Sequence, residues 1–295
     1  MEIRSGWLKR FSWFLAANAA VVVSLAIITG GAALSLAPYL LLFSCTIPFF
    51  SLLFSKWSAK RAHGIYVIEP NHFNNETERN LYRLIETLSQ RAGLQRVPEV
   101  GIYESADVNA FATGATRSSS MVAFSTGLLE TLDEDAIAAV AAHEIAHIAN
   151  GDMVTLALVQ SVINTVIYII TIPLWLIKWT AFFSDQVSAL AFWLITIAKF
   201  LITVFLVFLG SLVAKAFSRH REFKADQLAA QLVDPQSMIH ALESLRQVPV
   251  ITIKQQQSYA AFKINAGPSI LDLFSTHPSL ERRIARLRAM DDFGT

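Results

Sequence analysis

Residues 141–177 read AAHEIAHIANGDMVTLALVQSVINTVIYIITIPLWLI, and two patterns meet in them. The first part holds His143 and His147, four positions apart, with Glu144 beside the first histidine. From Met153 to Ile177 no residue is charged. Crossing a bilayer takes about 20 apolar residues, so this run is long enough to be a membrane span. Asn150-Gly151 separates the two patterns as a helix stop. The stretch therefore predicts a helix outside the bilayer joined directly to one inside it.

Three further spans follow from the same criterion. Phe11 to Ser55 contains no charged residue, twice what one span needs, and Gly30-Gly31 divides it. The expected hairpin runs over about 11–29 and 33–54, with Pro38 and Pro48 tolerated where neighbouring helices satisfy the freed backbone groups. Residues 190–214 are apolar apart from Lys199, placed to snorkel towards an interface. Arg4, Lys9 and Arg10 resemble the basic start of a cleaved signal, but the apolar run behind them is too long for one. A retained, four-span helical membrane protein is the expectation.

Composition agrees and excludes several classes. Hydrophobic residues make up 54% and charged ones 16%, below the roughly 25% of soluble domains. A net charge of +1 gives no electrostatic footprint for nucleic acid. The single cysteine, Cys45, excludes an internal disulfide and a thiolate-rich metal site. Lys199 as the one charge within the spans argues against a channel or transporter, where more are needed.

Basic residues cluster beside the span ends at Arg4, Lys9, Arg10, then Lys56, Lys60, Arg61, then Lys215, Arg219, Arg221, Lys224. By the positive-inside rule both termini and the intervening segment face the cytoplasm. The expected organisation is a membrane hairpin (1–55), a cytoplasmic part with the histidine helix (56–152), a second membrane pair (153–214) and a second cytoplasmic part (215–295). Two spans return the chain to its starting face, so the two cytoplasmic parts can share one site.

Within these parts, residues 75–92 show a helical stripe of Leu81, Leu84, Ile85 and Leu88, closed by Gly93. Residues 98–126 read as three short strands with turn signals at Gly114 and the serine run. Thr131 and Glu134 suggest a capping box for the histidine helix. Helices are expected near 219–232, 235–246 and 279–290, with a polar stretch near 250–268.

Histidines four apart lie above one another on a helix face, so both imidazoles can reach one metal ion. Glu144 is then placed to act as a general base on water activated by that metal. A catalytic zinc takes a third protein ligand and keeps one position open. Glu222, Asp226, His220, Glu243 and His277 are the candidates on the same membrane face. Glu222 and Asp226 share a helix face at i and i+4, an unfavourable pair unless a cation or donor lies nearby.

The segments NAFATG (109–114), FSTGLLE (124–130), AAHEIAHIANGDMVTL (141–156), REFKADQLAA (221–230) and THPSLERRI (276–284) resemble the HtpX family of bacterial membrane proteases. That family is related to the eukaryotic CAAX prenyl-protein endopeptidase. The resemblance implies a zincin-like α+β protease domain of the gluzincin type, on four transmembrane helices. It implies that His143, His147 and Glu222 hold one Zn2+, that Glu144 is the base, and that Asp226 orients a ligand histidine. It also implies quality control of damaged membrane proteins in the bacterial cytoplasmic membrane.

The substrate is expected as an added strand beside the histidine helix, with Met121–Thr126 as the edge it joins. Asn109 is expected, from the resemblance, to shape the cleft floor. His277 either donates to the oxyanion or caps the last helix with Pro278, leaving Arg282 and Arg283 as surface or cleft-lining cations. Two rivals to a quality-control protease are a narrow processing protease and a membrane scaffold with a structural metal; an intact Glu144 speaks against the scaffold. Oligomeric state has no signature in the sequence.

Overall fold

The computed structural model describes Ala16, residues 32–182, 189–247 and 278–292. The expected first span, the 250–268 stretch and His277 lie outside the described residues, apart from Ala16. Two compact units emerge, one of Met1–Ser51 with Thr155–Ala214 and one of Leu52–Val154 with Lys215–Thr295.

The described part of the first unit is helical. Helix α1 (Ala32–His63) enters it, and the greater parts of α5 (Asp152–Phe182) and α6 (Ala189–Leu232) belong to it. At Gly210 of α6 a Cβ would collide with Ile163 of α5, so the missing side chain permits that close crossing. Among the described residues α6 is long and apolar enough by itself to cross a membrane, and none of its most apolar stretch is buried. Leu190, Trp193, Leu194, Phe200 and Phe205 are all exposed on it. The helix expected near 219–232 is not separate. The sequence after Gly210 holds no glycine or proline to stop α6, which continues to Leu232.

The second unit is α+β. Its described elements are the end of α1, strand β1 (Tyr66–Val67), α2 (Glu76–Arg91), β2 (Glu99–Tyr103), β3 (Ala110–Thr116), β4 (Ser119–Ser125), α3 (Thr126–Thr131), α4 (Glu134–Asn150), the start of α5, the end of α6, α7 (Pro235–Gln247) and α8 (Leu280–Asp292). Asn75 caps α2 by accepting from the Glu78 amide, while Glu78 accepts from the Asn74 amide. The apolar stripe of α2 then buries Leu81, Ile85 and Leu88.

The sheet runs β1-β2-β4-β3, with β2 parallel to β4 and the other pairs antiparallel. Val122 and Phe124 face the main core, whereas Met121 and Ala123 face Ile65, Tyr103 and Phe111 on the other side. Strand β4 is thus buried on both faces. It is also paired on both edges, Val122 with Val100 and with Ala112. This corrects the expectation that Met121–Thr126 is a free edge, because its backbone groups are already spent on β2 and β3. The terminal strand beside α4 is β3.

Helix α4 passes through the middle of this unit. Its alanines 139, 141, 142 and 146 are fully buried, and their small size lets the helix approach the sheet, α2 and α7 closely. The helix is capped by Asp133, whose carboxylate accepts from the Ala136 amide at 2.8 Å. The expected Thr131 cap is absent because Thr131 is the last residue of α3. At the other end Gly151 takes φ 67°, ψ 38° and bonds back to the His147 and Ile148 carbonyls. The chain then restarts at once as α5, bent by 55°.

A side chain at Gly151 would meet the left-handed penalty of roughly 1–2 kcal/mol. Gly151→Ala is expected to lower stability by about that much, and Gly151→Asn by less, because asparagine tolerates this conformation. Thermal unfolding of the detergent-purified variants measures both.

Candidate metal centre

Two helices bring side chains to one buried point. His143 and His147 come from α4, and Glu222 comes from α6, next to Arg221 and one turn before Asp226. The two imidazole Nε2 atoms are 3.1 Å apart, and each is 3.4 Å from a carboxylate oxygen of Glu222. Glu222 is 1% exposed. Glu144, also buried on α4, exerts its charge on His147, Arg283 and Tyr103.

The outward nitrogens are held as well. His143 Nδ1–H donates to Asp226 Oδ1 at 3.0 Å, and Arg283 of α8 grips Asp226 with two bonds of 2.8 and 2.6 Å. The 3.4 Å approach of Arg283 Nη2 to the same Nδ1 follows from both groups gripping Asp226, since two N–H donors cannot bond each other. His147 Nδ1–H donates to Asp152 Oδ2 at 2.7 Å. Arg221 lies beside Asp152, with Nη1 donating to its backbone carbonyl at 3.3 Å and Nε 3.8 Å from its carboxylate.

With both Nδ1 atoms donating, both Nε2 lone pairs point into the cluster. Two lone pairs at 3.1 Å repel unless a cation or a proton stands between them. Zinc bonds of 2.0–2.1 Å in tetrahedral geometry put neighbouring donors about 3.3 Å apart, which matches the observed spacings. The buried carboxylates of Glu144, Asp152, Glu222 and Asp226 face two guanidiniums, Arg221 and Arg283, leaving a deficit that a divalent cation with neutral imidazoles would balance. Among the described residues this is the group able to hold a metal ion.

Without a metal the surplus of acid holds protons. Burial opposes charge on His147, but Glu222 and the Asp152 bond outweigh it and push its pKa up to about 10. Burial and Arg283 oppose charge on His143, yet its bonds to Asp226 and Glu222 raise it too. Burial would raise Asp226; Arg283 outweighs that and holds it down at about 2.

Of the other expected residues, Asn109 donates from Nδ2 to the Tyr103 hydroxyl at 3.0 Å, at the entry to β3. Burial pushes that phenol up to about 12. Arg283 is not a surface cation: it is 2% exposed and bonds Asp226. Glu243 pairs with Arg288 and His220 is exposed, so neither joins the cluster. His240, for which sequence offers no partner, bonds Asp133 at 2.7 Å, and His63 packs at a tilt against Tyr103 and Phe111. Asp152 and Arg221 were not singled out by the motif; the signal available was an acid immediately after the Asn-Gly stop.

Comparison with known proteins decides what this centre belongs to. The sequence matches peptidase family M48 over residues 75–291. A Protease HtpX homolog of Bacillus licheniformis is 41% identical over 300 residues, covering 95% of this chain and 99% of that one. Protease HtpX of Thioalkalivibrio sulfidiphilus is 40% identical over 301 residues, with 96% and 99% covered.

The chain belongs to peptidase family M48.

As a member of that family it is a metalloendopeptidase. The HtpX likeness read from its motifs therefore holds along nearly the whole chain. The crystal structure of S. mikatae Ste24p shares its fold at a TM-score of 0.59 and 18% identity, over 96% of this chain and 66% of that one. This M48 chain spans just under two thirds of Ste24p's length.

Two outcomes follow from the centre's geometry. Arg283→Met leaves Asp226 buried without its cation, a loss of about 3–5 kcal/mol seen in unfolding. A metal ion has to displace protons from the imidazoles, which are charged below their raised pKa values. Its affinity therefore rises with pH, by about tenfold per unit for each proton displaced. Competition titration against a chromophoric chelator from about pH 6 to 8 measures that slope.

Proposed function

We propose that this metalloendopeptidase is a multi-pass membrane enzyme that uses one Zn2+ to cut unfolded or damaged membrane proteins at the cytoplasmic face of a bacterial membrane. The observation that carries this reading is the convergence of His143, His147 and Glu222 at 3.1–3.4 Å beside the buried Glu144.

His143 and His147 would hold the metal through Nε2, and Glu222 through its carboxylate. Zinc bound there supplies Lewis acidity that polarises the scissile carbonyl and acidifies water. Glu144 takes the proton of the attacking water and returns it to the leaving amine. Asp226 fixes the tautomer of His143 and aims its Nε2 inward, and Arg283 holds Asp226 in its ionised, accepting state. The cluster's burial removes competing water and strengthens each of these interactions.

The substrate strand is assigned to β3 in place of β4. Strand β3 ends the sheet among the described residues and packs against α4. Main-chain pairing with it would read shape more than sequence, which suits substrates of varied composition. Asn109, at the start of β3, lies where such a strand would enter.

The membrane assignment is supported by the exposed apolar surface of α6 and by the uncharged runs within α1 and α5. Basic residues beside the span ends favour four spans, with both termini and the centre on the cytoplasmic side.

Glu144→Gln removes the base and leaves the metal donors in place. In detergent, with added zinc and an unfolded substrate such as casein, kcat/KM is expected to fall about 10²–10⁴-fold while zinc content stays at one per chain. Equal cleavage by wild type and variant would refute the assignment.

A further inference from the structure

Asp152 and Arg221 have no part in the roles assigned above, yet Asp152 bonds His147 and Arg221 lies against Asp152. We infer that Asp152 is the positioning residue of His147, and that Arg221 holds Asp152 for that task. This rests on the reading of the cluster as a metal centre.

The geometry carries the assignment. The bond from His147 Nδ1–H to Asp152 Oδ2 is 2.7 Å and buried at both ends. It fixes the tautomer in which Nε2 keeps its lone pair, and it restrains the swing of the ring about the Cβ–Cγ bond. His147 Nε2 then faces Glu222 Oε1 and His143 Nε2. An acceptor on Nδ1 is the usual means of raising the basicity of a ligand imidazole.

The chain goes out of its way to put a carboxylate there. In an unbroken helix a residue five positions on lies about 140° round the axis from His147, out of reach of its ring. The left-handed turn at Gly151 breaks α4 and bends the next helix by 55°, which carries the first residue of α5 back to the imidazole. Arg221 closes the arrangement by touching both the carbonyl and the carboxylate of Asp152. It stands next to Glu222 in α6, so one short segment supplies both a donor for the metal and a clamp for the group that orients another donor.

Two relays therefore serve the two histidines, Arg283–Asp226–His143 and Arg221–Asp152–His147. They differ in grip. Arg283 binds its aspartate through two bonds of 2.6 and 2.8 Å, while Arg221 makes one backbone bond and a 3.8 Å approach. Loss of Arg221 is accordingly the milder change.

The test is zinc affinity of the full chain in detergent, measured by chelator competition, beside thermal unfolding of the metal-free protein. Asp152→Ala is expected to weaken zinc about 10–100-fold. Asp152→Asn, which keeps an acceptor without the charge, is expected to recover part of that loss. Arg221→Met is expected to weaken zinc less, and to add little in the Asp152→Ala background because it acts through Asp152. Wild-type affinity in Asp152→Ala would overturn the assignment. So would equal losses in the Ala and Asn variants that track a fall in metal-free stability, since the role would then be merely structural. A wild type that takes up no zinc would overturn the metal centre itself, and this assignment with it.

Discussion

The structure of the catalytic unit is organised around the burial of carboxylates that water would otherwise solvate. Glu222 and Asp226, on adjacent turns of α6, are 1% and 2% exposed, and an isolated buried carboxylate is too costly to persist. Everything around them answers that cost. The two histidines of α4 and the buried Arg283 of α8 are placed where they balance the charge. Burial also explains why α8 has to pack down. Its Leu280, Ile284 and Leu287 join the core, and its Arg283 closes the bond network over Asp226. Arg286 of the same helix lies over the Phe223 ring, next to Glu222, which adds a second hold on α6.

A second consequence concerns how chemistry and apolar surface share the same helices. Helix α6 carries Glu222 and Asp226 near its end and is exposed and apolar over its earlier turns. Helix α4 gives way to the apolar α5 after one left-handed residue. The glycine that makes the join also delivers Asp152, so one backbone conformation serves both.

Much of this was open to inspection in the residues. The i, i+4 histidines and the leucine stripe of α2 are local patterns whose periods are set by helix geometry, whereas Gly114, read as a turn signal, lies inside β3 and the turn to β4 falls at Arg117 and Ser118. Asp226 was legible for a related reason, since two acids one turn apart call for a cation nearby. Other features were hidden because they join residues that no local period connects. The pairing of β4 on both edges depends on strand order, which alternation of side chains does not encode. Asp133 rather than Thr131 caps α4 because α3 ends where that cap would stand. The Asp133–His240 bond spans 107 positions, and nothing near either residue announces it.

By itself, then, the sequence determined the elements, the apolar segments and the donor types, because each depends on neighbours within a few turns. Through its motifs it also identified the peptidase family. Tertiary structure alone decided which acids meet the histidines, that Arg283 is buried under Asp226, that Asp152 turns back onto His147, and that β3, beside α4, is a terminal strand of the sheet among the described residues. The physical reason is that these outcomes come from balancing charge and hydrogen bonds in a low-dielectric interior. That balance is a property of the assembled site, reached when α4, α6 and α8 close around it, and no single segment carries it alone.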